Sequence, residues 1–252
     1  MYQVSDVLRT VDEHLAVVLV LVMFGWIGGF VQIIEALRLG FRKRVAGQPI
    51  ATTVIMLAHD LTFSFSYHHY FHEIDHSFFK WFWVGMVVSN FIEFVLLYHW
   101  VKYRSASFGG GLSTPAVVGL LLVFQVAAFA LWWWVRSMVS DPLDLVGLTV
   151  VQVGAVVFGV PMLLGRGTAR GQSRIFVWAT LLGPGSLGFL FIPYLSPEFA
   201  NRWQWWAVVG AATACAVSFL LLYEHLRRRD AAAAGPVAPK PAVATGAAAP
   251  PA

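Results

Sequence analysis

Apolar residues come in long runs rather than at the short period of a water-exposed helix or strand. Seven runs approach the roughly 20 residues that a bilayer-crossing helix needs. They cover about 14–35, 49–67, 79–101, 114–136, 143–165, 175–194 and 203–225. Turn formers or charges interrupt them at Leu39-Gly40-Phe41-Arg42-Lys43-Arg44, at the His-rich stretch 68–76, and from Arg104 to Gly111. Further breaks fall at Asp141-Pro142, from Arg166 to Arg174, and at Ser196-Pro197-Glu198. Short gaps between long runs predict an all-α, polytopic membrane protein built as an up-down bundle of seven transmembrane helices. The first run lacks a short apolar core followed by a small-residue cleavage site, so it is expected to be retained. No internal repeat is visible.

Positive charge alternates between the gaps. Arg38, Arg42, Lys43, Arg44, Lys102, Arg104, Arg166, Arg170, Arg174, Arg227, Arg228, Arg229 and Lys240 fall on one side, 13 in all, and Arg9, Lys80, Arg136 and Arg202 on the other. Thirteen against four predicts an outside N-terminus and a cytoplasmic C-terminus. Trp132, Trp133, Trp134, Trp203, Trp205 and Trp206 lie at outer span ends, as in an interfacial aromatic belt. The expected domains are a transmembrane unit over 1–230 and a disordered Ala/Pro-rich tail over 231–252.

Composition agrees. With 58% hydrophobic and 12% charged residues, the chain has half the charge of an ordinary soluble domain, about 25%. Its pI of about 9.4 comes from loops between apolar runs, so no nucleic-acid partner is expected. The single cysteine, Cys215, excludes a disulfide framework or a cysteine metal cluster. The expected surroundings are a lipid bilayer, of the bacterial plasma-membrane type.

Acids inside such runs are costly, about 2.5–3.5 kcal/mol on insertion scales, and mark function by default. Glu35, Asp60, Glu93 and Glu224 lie within the runs. Glu35 and Glu224 sit near cytoplasmic ends, where the interface relieves the cost. Asp60 lies eleven residues along its run, about 16 Å deep, and Glu93 about 12 Å deep on the next, antiparallel run. Both carboxyls can therefore face one interior pocket, where burial favours the protonated, acid-competent form. His59, His68, His69, His72 and His76 cluster nearby, three of them at steps of four beside Glu73 and Asp75. Such ligands suit iron, copper or zinc, although neither HExxH nor paired HxxHH boxes are present.

A proline at the head of the second helix, Pro49, followed eleven residues later by the acid of His59-Asp60, resembles the integral-membrane meroterpenoid cyclases. These are the pyripyropene-type seven-helix enzymes of fungi and the bacterial relatives that cyclise prenylated indoles. The stretch RGTARGQSRIFVWATLLG from Arg166 to Gly183 is similar to the Arg-then-Gly-Gln-Ser segment of that family, and so is the Trp81/Trp83 start of the third helix. The likeness spans about residues 14–226. His59-Asp60 replaces the family's Trp-Glu, and Leu220 stands where an Asp would precede Tyr223 by three, with Glu224 one residue past it.

The resemblance implies metal-independent, cofactor-free, proton-initiated cyclisation of a lipophilic prenylated substrate through carbocations. Asp60 is then the acid, with Glu93 or Glu224 as its catalytic partner, and His59, Phe63, Tyr67, Trp81 and Trp83 line the substrate site. Aromatic faces stabilise cations by about 0.5–2 kcal/mol each. Neither DDxxD nor DxDD, the motifs of the soluble terpene cyclases, occurs in the chain. Two alternatives stand beside this one: a metal-dependent membrane oxidase or hydroxylase using His59, Asp60, His68, His69, His72 and His76, and a transporter or sensor that binds a lipophile.

Overall fold

The computed structural model describes residues 2–108 and 111–233, and there are no strands among them. An amphipathic helix α1 (Val4–Glu13) leads into the long α2 (Leu15–Lys43), and α3 (Ile50–Phe65) returns antiparallel. A π-helical turn (His69–Glu73) precedes α4 (Ser77–Lys102) and the short α5 (Arg104–Phe108). Then follow α6 (Thr114–Met138), α7 (Leu145–Val157) and α8 (Gly159–Arg166), the last two bent at Phe158. After α9 (Arg174–Leu182) the chain passes through a 3₁₀ turn (Leu187–Phe189) into α10 (Phe191–Leu195), α11 (Pro197–Ala200) and α12 (Trp203–Ala233).

Six of these stretches are long and apolar enough to cross a membrane: Leu15–Lys43, Ser77–Lys102, Thr114–Met138, Leu145–Arg166, Arg174–Leu195 and Trp203–Ala233. The remaining apolar helix, α3, has sixteen residues, about 24 Å at 1.5 Å per residue. It packs against α4, α6 and α7. Because neighbouring helices screen it, α3 buries polar side chains that a lipid-facing helix would exclude, among them Thr52, Thr53, His59, Asp60 and Thr62. Thr53, Thr62 and Ser66 return their hydroxyls to carbonyls one turn back, which spares each of them an unsatisfied group. The outward faces of α2 and α6 carry exposed Leu19, Met23, Phe24, Leu122 and Val126, as lipid contact requires.

Several sequence boundaries shift. The first run begins at Leu15 and continues to Lys43, through the basic cluster read as a break, ending on Arg44 in the left-handed region (φ 53°). Helix α1 was not predicted; its Val7 and Val11 are fully buried, which explains why a helix with several charges docks on the bundle. The Gly183-Pro184-Gly185 break is real and separates α9 from α10. Of the six tryptophans assigned to the belt, Trp133, Trp134, Trp203 and Trp206 are exposed, whereas Trp132 and Trp205 are buried. Residues 231–233 continue α12 rather than begin a tail, and the rest of the expected tail lies outside the described residues.

Helices α2 and α9 meet where Gly28 and Gly183 oppose each other, so closely that a Cβ on either would overlap the other's backbone. One turn along, the buried Gln32 donates to Ala155 O at 3.2 Å and Thr180 Oγ1 at 2.9 Å. These contacts hold α2 against α7 and α9, and the interior cavity lies beside them.

Candidate functional site

The site grows from two adjacent residues of α3 and one at the head of α7. His59 Nδ1 lies 2.5 Å from Asp60 Oδ1, and His59 Nε2 lies 2.6 Å from Asp144 Oδ2. All three are at most 3% exposed. An imidazole thus bridges two carboxyls inside the bundle. Its ring also meets Trp132 edge-on, centroids 5.1 Å apart. Asn90 of α4 donates to Asp60 O at 3.3 Å and Ser64 Oγ at 2.8 Å, tying α4 to this stretch of α3.

Asp144, at the very start of the run 143–165, carries no mark of its own in the sequence that singles it out as a site residue. It stands at the N-cap of α7 in the left-handed region (φ 60°) and makes no side-chain cap. Capping falls instead to Asp141. The Asp141 carboxyl accepts from the backbone N–H groups of Leu145 (2.9 Å), Val146 (2.8 Å) and Gly147 (2.9 Å), and from the Tyr2 hydroxyl at 2.5 Å. With the helix N-terminus satisfied, Asp144 is free to turn to His59. Gly147 makes the room, since a Cβ there would overlap the Asp144 carboxyl. Burial, then the neighbouring Asp144 charge, pushes the Asp141 carboxyl above its ordinary range. An Asp-Pro-Leu-Asp sequence ahead of an apolar run offered a signal: two acids at one helix head, when one suffices to cap it.

Asp60 and His59 open onto a cavity of about 110 Å³ whose walls are almost wholly apolar. Trp26, Phe30 and Phe191 supply its aromatic faces, and Gln32, Ser89 and Gln152 its other polar groups. Gln152 Oε1 is buried without a hydrogen-bond partner. Glu93 sits one turn beyond Ser89 on α4, fully buried, with neither carboxyl oxygen hydrogen-bonded. Its helix α4 packs against α3, which carries Asp60.

The other expected site residues lie elsewhere. Phe63, Tyr67 and Trp83 are absent from the cavity wall. Phe63 stacks on Tyr70 at 4.2 Å, Tyr67 stacks on Phe71 at 4.3 Å, and Trp83 donates to Ser64 O at 2.9 Å. These rings seal the end of α3 rather than hold a ligand. Trp81 is 73% exposed and points out of the bundle. Glu224 is gripped by Arg174 (2.7 Å) and Arg227 (2.9 Å), and Glu35 by Arg38 (2.5 Å) and the Ser173 hydroxyl. Both are ion-paired anchors outside the cavity.

His68, His69 and His76 make polar contacts around the α3–α4 connection. His69 bridges Glu73 (2.6 Å) and Pro142 O (2.8 Å), His68 approaches Glu73, and His76 meets Asp12 at 3.0 Å. The His69 bond holds the Glu73 carboxyl below its ordinary range. Among the described residues no three His, Cys, Asp or Glu side chains converge as metal ligands would. Comparison with protein-family models, with curated proteins and with solved structures finds no match.

Proposed function

We propose that the chain is a multi-pass membrane enzyme of the terpene-cyclase type, acting by proton transfer from Asp60 to a prenylated substrate. Protonation of an epoxide or alkene starts ring closure through carbocations, and return of a proton to the protein ends it. In this reading α3 is the seventh spanning element, the N-terminus is outside, and the C-terminus is cytoplasmic in a bacterial-type plasma membrane. The observation that carries the proposal is the Asp60–His59–Asp144 chain ending on an apolar, aromatic-walled cavity.

The proton inventory supports it. Each of the two contacts at His59 shares one proton, so the three groups hold two protons and a net charge of −1. Net charge buried away from water is expensive. A third proton, on the Asp60 carboxyl at the cavity wall, makes the set neutral and supplies the acid. Asp144, beside the loop that joins α6 to α7, then re-supplies Asp60 through the two nitrogens of His59. Glu93, buried on the helix that packs against α3, is the better partner than Glu224, whose carboxyl is neutralised by two arginines. A 110 Å³ cavity is smaller than the roughly 300–1,000 Å³ of whole-ligand pockets, so it receives the reacting end of the chain. There Trp26, Phe30 and Phe191 face the developing cation.

The reaction adds one proton and releases one, so the product is an isomer of the substrate. Membranes carrying the protein, fed farnesyl and geranylgeranyl diphosphate and a panel of farnesylated and geranylgeranylated aromatics, should yield a cyclic product of unchanged mass. In D₂O an alkene-initiated product should gain one deuterium. Recovery of every one of these substrates unchanged would contradict the proposal.

One observation favours a second reading. The Gly183-Pro184-Gly185 break interrupts a membrane-length helical stretch, and Pro184 lines the cavity, as in transporters with discontinuous helices. Proton uptake by proteoliposomes that depends on an added lipophile, with no isomer formed, would select it.

A further inference from the structure

The turn from α2 to α3, the end of α8 and the segment leading to α9 surround a second cavity, of about 890 Å³. Lys43, Arg44, Arg166 and Arg170 line it, with no acid in the wall. Asp230, which touches the lining residue Thr168, is occupied by the Thr168 hydroxyl at 2.5 Å and the Ala169 N–H at 2.9 Å. Trp100, Phe158 and other apolar side chains complete the wall. The cavity is therefore amphipathic, with cations at one part and hydrocarbon-like surface at another.

Arg166 is the informative group. Its Nη2 donates to Ala46 O at 2.6 Å, while Nη1 is buried with no partner. A buried donor left unmade costs about 1–3 kcal/mol, and more when charged. Gly171, in the left-handed region at φ 87°, leaves the space in which Nη1 sits, since a Cβ there would come within 3.1 Å of it. Lys43 Nζ reaches Gln172 O at 3.3 Å and keeps further donor capacity. A guanidinium with a free edge among three more cations matches the geometry and charge of a phosphate oxygen pair.

We propose that this cavity binds the phosphate or diphosphate head of an amphiphile, with Arg166 at its base and Arg44 and Arg170 at its rim. The assignment of that amphiphile as the isoprenoid substrate rests on the acid–base reading above. Ile50 and Ala51 of α3 line the head site, and Asp60 lies nine to ten residues further along the same helix, about 15 Å at 1.5 Å per residue. At roughly 1.25 Å of advance per bond in an extended chain, from bonds of about 1.5 Å, that distance is on the order of a dozen carbons. A farnesyl-length chain is therefore long enough to span the distance from the basic cavity to the acid.

The test is binding to the full chain, purified in detergent, of farnesyl diphosphate, farnesol, inorganic diphosphate and phosphatidylglycerol. Farnesyl diphosphate should bind at least about ten-fold more tightly than farnesol, the worth of one charge-assisted hydrogen bond, and inorganic diphosphate should compete. Arg166→Gln should weaken binding by a similar factor. Because Arg166 also ties the α2–α3 turn, the exposed pair Arg44→Asn with Arg170→Gln provides a second variant, expected to weaken binding without disturbing the fold. Asp60→Asn should leave affinity unchanged, so loss of isomer formation with binding intact separates failure of the acid from failure of the head site. Tight, Arg166-dependent binding of phosphatidylglycerol but not of farnesyl diphosphate supports the phosphate site and identifies its source as a membrane lipid. Equal affinity for farnesol and farnesyl diphosphate, or phosphate binding indifferent to all three arginines, overturns the proposal.

Discussion

A histidine held between two carboxyls has both ring nitrogens committed, so it neither drifts between rotamers nor binds a metal without losing a partner. In this protein the consequence is directional. Asp60 faces the cavity, and Asp144 lies toward the loop between α6 and α7. Replacing Asp144 with Asn keeps the shape but removes the far acceptor of the relay. Turnover should then fall about 10²-fold, at the low end for loss of acid–base assistance, with substrate binding retained; a steady-state kcat and KM comparison checks it. His59→Asn should cost at least as much, since it cuts Asp60 from its only relay. At this scale the sequence exposed Asp60 and Glu93 because an acid inside an apolar run is conspicuous. Asp144 was hidden by its position: two residues after a proline, at the boundary of a run, it looks like any turn residue. Only the folded α7 shows that capping is done by Asp141. Trp26, Phe30 and Phe191 were equally invisible, because an aromatic in an apolar run carries no mark of which way it faces.

At the scale of elements, the short helix α3 is where the site becomes possible. Screened by α4, α6 and α7, it can carry a histidine and an aspartate that a peripheral helix could hold only at a cost of several kcal/mol. Helix α7 contributes through its first turn. Gly147→Ala would press a methyl group against the Asp144 carboxyl. The expected result is a folded protein, destabilised by about 1–3 kcal/mol as in other overpacked sites, with turnover reduced along with Asp144→Asn. Thermal unfolding in detergent and the isomerisation rate read the two effects separately. The long elements α2, α4, α6 and α12 were legible because their runs far exceed a turn of ambiguity. Helix α1 was not, since ten residues with four charged positions give no apolar run, and its two buried valines act only against a partner surface.

For the whole molecule, charge asymmetry and cavity placement make one picture. The basic cavity is lined by Lys43, Arg44, Arg166 and Arg170, all from the gaps expected on the inner side, and the Asp144 end of the relay follows a gap expected on the outer side. In a Cys215→Ser background, Ser105→Cys should be shielded from an impermeant thiol reagent applied to intact cells, whereas Ser140→Cys should react; the reverse pattern would invert the orientation. The sequence carries an orientation prediction because loop charge is additive along the chain. The cavities were not legible there, because their volume depends on the angle at which helices cross, set here by contacts such as Gly28 with Gly183.

The most direct measurement compares cyclic-isomer formation by Asp60→Asn and Glu224→Gln in membranes at matched expression. A carboxyl that delivers the initiating proton should cost 10²–10⁴-fold when made an amide, roughly the range for general-acid catalysis, while the arginine-bound Glu224 should keep turnover within a few-fold of wild type. Unimpaired product from the Asp60 variant, or collapse confined to the Glu224 variant, would contradict the assignment of the acid.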